Sequence, residues 1–194
     1  MIASLILAAG ESSRMGSDKA LLTYRGRAFL ESILLNLRDA GIKEIAVVLG
    51  HHADEIQEAV NLQGVRVILN GNYQAGQTSS LQAGLAALEA LSPEAVILCL
   101  VDHPAVSADV IAKLCDHFRV GKFQVIVPTF HGQNGHPVVI GRGLFPDLLA
   151  LGPKQGANCV IRKYRAATRF VEVDDPGVVL DVDDPQTYLR LEQA

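Results

Sequence analysis

A chain that alternates apolar runs of strand length with helical patterns can adopt very few folds, and this chain alternates throughout. Residues 2–7, 44–49, 65–69 and 95–101 each read as a strand. The run at 44–49 is apolar from Ile45 onward, as expected of a strand buried on both faces. Between the runs, apolar residues recur at helical spacing. Phe29, Ile33, Leu34 and Leu37 form one such set, with Gly41 as its stop, and Leu81, Leu85, Leu88 and Leu91 form another. A short helix is expected at 54–60, and another capped by Ser107 through Ile111, Leu114 and Phe118. Thr78-Ser79-Ser80 reads as a cap of the helix that follows it. Such alternation implies an α/β chain of three layers, with a mostly parallel sheet between helices.

The second half is more broken. Residues 124–127, 137–140, 168–173 and 178–182 read as short strands, and 129–134 as a polar excursion. Residues 144–149 and 158–164 look helical, and Pro185 opens a closing helix over 185–191. Asp174-Asp175-Pro176-Gly177 reads as a turn. Short segments and prolines after Phe123 make the sheet mixed at one edge. In sheets of this kind, ligands sit beyond the carboxyl ends of the strands.

Composition narrows the function classes. A chain of 194 residues suits one domain over 1–194 with a full core. At 49% hydrophobic and 20% charged it is not a disordered chain. A net charge of −4 argues against a nucleic-acid surface. No apolar run approaches the ~20 residues that span a bilayer, and the N-terminus lacks a basic segment with a cleavage site. Cys99, Cys115 and Cys159 are an odd, scattered set without C-x-x-C spacing, which fits reduced thiols. A cytoplasmic protein without membrane or nucleic-acid partners is expected.

The chemistry begins where the first strand ends. Residues 5–19 run Leu-Ile-Leu-Ala-Ala-Gly-Glu-Ser-Ser-Arg-Met-Gly-Ser-Asp-Lys. A buried strand feeding a loop of small residues, with Arg14 and Lys19 in it, can hold polyphosphate: backbone N–H groups approach the anion and the cations neutralise it. A Walker loop is excluded, because five residues separate Gly10 from Gly16 and Lys19 stands three beyond Gly16. The dinucleotide fingerprint G-x-G-x-x-G is absent. Ordinary strand-to-helix loops also carry Gly and Ser, so the two glycines alone prove little.

Acids arrive at the same sheet edge. Asp102 follows the apolar run 96–101 and precedes His103-Pro104. A carboxylate there is placed to hold Mg2+, which takes one or two carboxylates and completes its shell with phosphate and water. A helix-capping role is the alternative, but Ser107 is nearer the helix start. A second cluster reads Asp181-Val182-Asp183-Asp184-Pro185. On an extended chain Asp181 and Asp183 share a face, while Asp184 before Pro185 fits a helix N-terminus. The residues alone leave Asp181 and Asp183 both open as a metal ligand. The histidines lack zinc spacing, and no G-x-S-x-G elbow is present.

The block Leu7-Ala8-Ala9-Gly10, Ser12, Arg14-Met15-Gly16 and Lys19 resembles the signature of the MobA-like nucleotidyltransferases, especially the molybdenum-cofactor cytidylyltransferases. The resemblance covers nearly the whole chain and implies a Rossmann-like nucleotidyltransferase fold. It implies that Leu7, Ala8, Ala9, Gly10, Ser12 and Ser13 surround the nucleotide, with Arg14 and Lys19 on the leaving pyrophosphate. It supports Asp102 as a metal ligand, through an Asp followed one residue later by Pro, and favours Asp183, through a likeness to Asp-Ile-Asp-Thr-Pro-Glu-Asp. Ser80 is implied as a base or ribose contact, and His136, within Gly-His-Pro, as an acceptor contact. Pro153 and Asn158 stand where the family usually has Asp and Arg. Ala9 stands where the guanylyl relatives usually have Gly, which favours CTP over GTP. The implied reaction transfers CMP to the phosphate of molybdopterin cofactor, for use by a molybdoenzyme partner, with Mg2+. A nucleotidyltransferase for a sugar phosphate or another phosphorylated metabolite, and a non-catalytic cofactor carrier, are the competing readings.

Overall fold

The computed structural model describes residues 1–11, 17–152 and 154–192. Ser12, Ser13 and Arg14, three of the expected phosphate-loop residues, lie outside the described residues, as does Pro153. In chain order the strands and helices are β1 (Ile2–Ala8), β2 (Thr23–Tyr24), β3 (Arg27–Ala28), α1 (Phe29–Asp39), β4 (Ile45–Leu49), α2 (Ala53–Ala59), β5 (Val65–Leu69), α3 (Gln77–Leu88) and β6 (Ala95–Leu100). They continue as α4 (Ala108–Val120), β7 (Val125–Phe130), β8 (Gln133–Asn134), β9 (Val138–Gly141), α5 (Phe145–Leu149), α6 (Ala157–Lys163), β10 (Thr168–Glu172) and α7 (Pro185–Glu192).

The main sheet has the order β10-β7-β9-β6-β1-β4-β5, with β8 paired to β7. All of β1 is buried, and it runs parallel to both β4 and β6. Its side chains divide by period two between the layers. Ile2, Ile6 and Ala8 pack with Leu30, Ile33, Leu37 and Leu114 of α1 and α4. Ala3, Leu5 and Leu7 pack with Leu81, Leu85, Leu88 and Leu148 of α3 and α5. This is the expected three-layer α/β arrangement, with β9 antiparallel to β6 and β7 as the mixed part. Among the described residues, no helix is long and apolar enough to cross a membrane.

The strand order also locates the ligand edge. From β1 the chain steps outward to β4 and β5, then returns to place β6 on the other side of β1. Reversal of direction beside β1 opens a crevice beyond the carboxyl ends of β1 and β6.

Three local expectations are corrected. Residues 178–182 form no strand: Pro176–Val178 is a single 3-10 turn, and the chain beyond it lies outside the ladder. One bond, from Val182 N–H to the Asp102 carbonyl at 3.0 Å, lays it over the end of β6. Residues 129–134 form a β7–β8 hairpin rather than a polar excursion. His131 and Gly132, both with positive φ, make its two-residue turn. Helix α3 is not capped by Thr78, Ser79 or Ser80, because it starts at Gln77 after Gly76 and has no side-chain cap. By contrast, Ser107 caps α4 by accepting from Val110 N–H.

Candidate functional site

Parallel register makes the site. Leu7 stands opposite Leu100, so the residues that follow β1 and β6 leave the sheet side by side. Val101 N–H donates to the Leu7 carbonyl at 3.2 Å and keeps the two exits together. Beyond them lies a cleft of about 270 Å3 lined by Leu7, Ala8, Ala9, Gly10, Lys19, Ser80, Asp102 and Asp183. Every described residue expected at the nucleotide and metal is therefore in one cavity. Asp18, Tyr73, Gly76, Gln77 and Val101 complete the lining.

Each wall has a local cause. Gly50, at the end of β4, sits so close to the root of the loop that a Cβ there would be 2.5 Å from the Ala9 carbonyl oxygen. Asp18 is buried, accepts from Ala20 N–H at 2.8 Å and meets His52 Nδ1 at 3.2 Å. It thereby starts the 3-10 turn Lys19–Leu21 and aims Lys19 inward. Tyr73 O–H pairs with His51 Nδ1 at 3.0 Å. Ser80 is buried and accepts from Asn70 Nδ2 at 3.0 Å.

Charge gathers around Lys19. Its ammonium lies 2.5 Å from Asp183 Oδ1 and 3.3 Å from Asp102 Oδ2. Asp183 and Asp181 reach this point because Val182 between them is fully buried against Phe29 and Leu191. Asp183 lines the cleft with Lys19, whereas Asp181 lies near Asp102 and His103. The carboxyl group of Asp181 titrates above its ordinary value, first through partial desolvation and then through the negative charges of Asp102 and Asp183. The other oxygen of Asp102, Oδ1, is buried and has no hydrogen-bond partner among the described residues. An unpaired buried carboxylate oxygen costs stability, and a divalent cation is the chemical partner it fits.

Beside this cleft lies a larger one of about 700 Å3. Gln77 lines both. His136 lines the second, with Leu100, Asn158, Phe170 and the cations Lys154, Arg162 and Arg165. Thr78 Oγ1 donates to the Gln155 carbonyl at 2.5 Å and ties α3 to the 151–158 segment. Burial and the nearby His103 hold the pKa of His136 down to about 4, against the opposing pull of Asp102. His136 is therefore a neutral imidazole at pH 7. His103 and His136 meet, with ring centroids 5.2 Å apart, whereas His131 packs on Phe130.

Sequence reasoning missed Asp18, Tyr73, Gly76 and Gln77. Asp18 had a readable signal, an N-cap residue directly before Lys19; the others had none. Asp175, read only as a turn residue, accepts from Ser107 N–H and Oγ at 3.1 and 2.8 Å. It binds the C-terminal segment to the start of α4.

The model of the MobA-like NTP transferase domain matches residues 4–168. The chain belongs to the MobA-like NTP transferase family. Relatives of the chain carry more than one name. The nicotine blue oxidoreductase of Paenarthrobacter nicotinovorans is 29% identical over 98% of this chain and 96% of its own length. The molybdenum cofactor cytidylyltransferase of Escherichia coli strain K12 is 25% identical over 97% and 94%. The crystal structure of Rv0371c from Mycobacterium tuberculosis H37Rv superposes with a TM-score of 0.89 at 30% identity, covering all of this chain and 97% of that one. A structure of Rv0371c in complex with manganese gives a TM-score of 0.84 at 27% identity, over 100% and 98%.

Proposed function

We propose that this chain transfers CMP from CTP to the phosphate of molybdopterin cofactor and releases pyrophosphate. The observation that carries the reading is the single cleft in which Ala9, Gly10 and Ser80 face Lys19, Asp102 and Asp183. In the proposed step an acceptor phosphate oxygen forms a bond to the α-phosphorus. The bond from that phosphorus to the bridging oxygen of the β-phosphate breaks, and its electron pair leaves with pyrophosphate. The acceptor is already anionic, so no general base is needed. Alignment and charge neutralisation are the protein's tasks.

Backbone amides from Ala9 to Ser13 cradle the triphosphate, with Arg14 and Lys19 on the departing pyrophosphate. Lys19 makes this possible by exchanging a carboxylate for a phosphate partner. Asp102 and Asp183 are the proposed holders of Mg2+, and the buried, unpartnered Oδ1 of Asp102 fits that use. When bound, the ion supplies positive charge at the α-phosphate. The second cleft suits an anionic acceptor with a planar body. Lys154, Arg162 and Arg165 offer charge, and neutral His136 offers hydrogen bonds rather than charge. Ala9 and the relative named molybdenum cofactor cytidylyltransferase support cytidine as the base. The 194 residues act as one catalytic domain in the cytoplasm and pass the product to a molybdoenzyme.

Two further readings have a specific support. Three cations in the second cleft suit a phosphorylated metabolite as well as a pterin phosphate. The 29% identity to a protein named as an oxidoreductase supports a redox reading. One assay separates them: pyrophosphate release with CTP, GTP and ATP, each without acceptor, with molybdopterin cofactor and with a sugar phosphate. Release with CTP only when the cofactor is present supports the proposal. Release with a sugar phosphate instead supports the first alternative, and none with any pair supports the second.

A further inference from the structure

The two clefts meet at one residue. Of the described residues that line the first cleft, only Gln77 also lines the second. Cations stand on either side of it, Lys19 in the first cleft and Lys154, Arg162 and Arg165 in the second. A nucleotide in one cleft and an acceptor in the other bring the α-phosphate and the acceptor phosphate together at this junction. Both are anions, so their approach needs a donor that both can share.

Gln77 is placed and equipped for that. It opens α3, and side chains beyond it fasten the helix. Thr78 Oγ1 donates to the Gln155 carbonyl, and Gln82 Nε2 lies 3.2, 3.0 and 2.9 Å from the Leu148, Leu149 and Leu151 carbonyl oxygens. The Gln77 side chain takes no part in this anchoring. It is exposed, and it makes no hydrogen bond among the described residues. A fixed helix start thus carries an uncommitted amide whose Nε2 has two N–H donors. Being neutral, the amide is not drawn into an ion pair by Asp102 and Asp183, as Lys19 is.

We infer, on the nucleotidyl-transfer reading, that Gln77 is a catalytic residue that bridges the two substrates. One Nε2–H donates to an oxygen of the α-phosphate and the other to an oxygen of the acceptor phosphate. The bonds made and broken are those of the transfer step, and Gln77 keeps both protons. Its contribution is alignment of the attacking oxygen with the α-phosphorus.

Side-chain 15N resonances of the full-length protein test it, the Gln77 signal being the one missing from Gln77→Ala. Addition of α,β-methylene-CTP, which cannot release pyrophosphate, should shift that signal, and molybdopterin cofactor added next should shift it again. In assays of pyrophosphate release, Gln77→Ala should lower kcat about ten- to a hundredfold, the loss of hydrogen bonds to a charged group. KM for CTP should stay within about threefold. Gln77→Glu should lower kcat further, because a carboxylate repels both phosphates. Its urea midpoint should equal or exceed that of the wild type, since an acid suits the first turn of a helix. A merely structural role would not separate activity from stability in this way. A Gln77 signal that ignores both ligands, or that shifts with the nucleotide analogue alone, overturns the inference. Pyrophosphate release with near-normal kcat in Gln77→Ala removes the bridge and leaves the transferase reading. Shifts with both ligands in a protein that releases no pyrophosphate do the reverse.

Discussion

Lys19 is the residue on which both halves of the site converge. It stands between Asp102 and Asp183, with its own side chain 12% exposed. Lys19→Ala is expected to lower turnover about a hundred- to a thousandfold, the cost of removing one charge-stabilising donor, while circular dichroism remains native. Near-normal turnover would remove it from the mechanism. Asp102→Asn, or chelation of divalent metal from the wild type, should each abolish pyrophosphate release; activity of Asp102→Asn at ordinary metal concentration would show that the carboxylate is not a ligand. His136 makes a different prediction. Its folded pKa of about 4 lies below the ordinary value of 6.5, so the unfolded chain takes up the proton first as pH falls. The stability that neutral His136 contributes is complete above pH 6.5 and is lost between pH 6.5 and 4, by roughly 3 kcal/mol. Urea midpoints at pH 7.5 and 5 should diverge more in the wild type than in His136→Asn. Equal divergence would show that His136 is not held neutral. That Lys19 and Asp102 would come to one edge was legible in the sequence, because each follows an apolar run of strand length. Tyr73 and Gln77 were not, since only the packing of α3 and the turn before it brings them to the cleft.

The elements that position the site hold tight tolerances. A Cβ on Gly84 of α3 would come 2.4 Å from Cδ1 of the fully buried Leu5 on β1. Gly84→Ala should therefore destabilise the protein by about 1–3 kcal/mol through overpacking, read from urea denaturation. An unchanged midpoint would mean that Leu5 has room to turn. Most strands and helices could be read ahead because buried strands are apolar throughout and the helices carry a 3.6-residue period. The failures share a cause. Residues 178–182 have a strand's composition but no neighbouring edge to pair with, because β8 pairs with β7 and His136 N–H takes the Val178 carbonyl. The α3 start was misplaced because Gly76 caps by backbone geometry, which leaves no polar side chain to read. The β7–β8 hairpin was hidden by His131, a residue uncommon at positive φ.

Across the whole molecule, chain order creates the candidate site by bringing distant segments to one edge. The loop after β1, the acid after β6 and the 181–183 segment meet only because β1 lies between β4 and β6 and Val182 anchors on Phe29. Two clefts that share Gln77 then suit two substrates that must touch. The central claim is nucleotidyl transfer, and isotope position tests it most directly. The protein would be given molybdopterin cofactor with CTP labelled at the α- or the γ-phosphorus. The account predicts that α label enters the cofactor product and γ label leaves in pyrophosphate. Transfer of γ label to the cofactor, or its release as inorganic phosphate with no α label in any product, would contradict it.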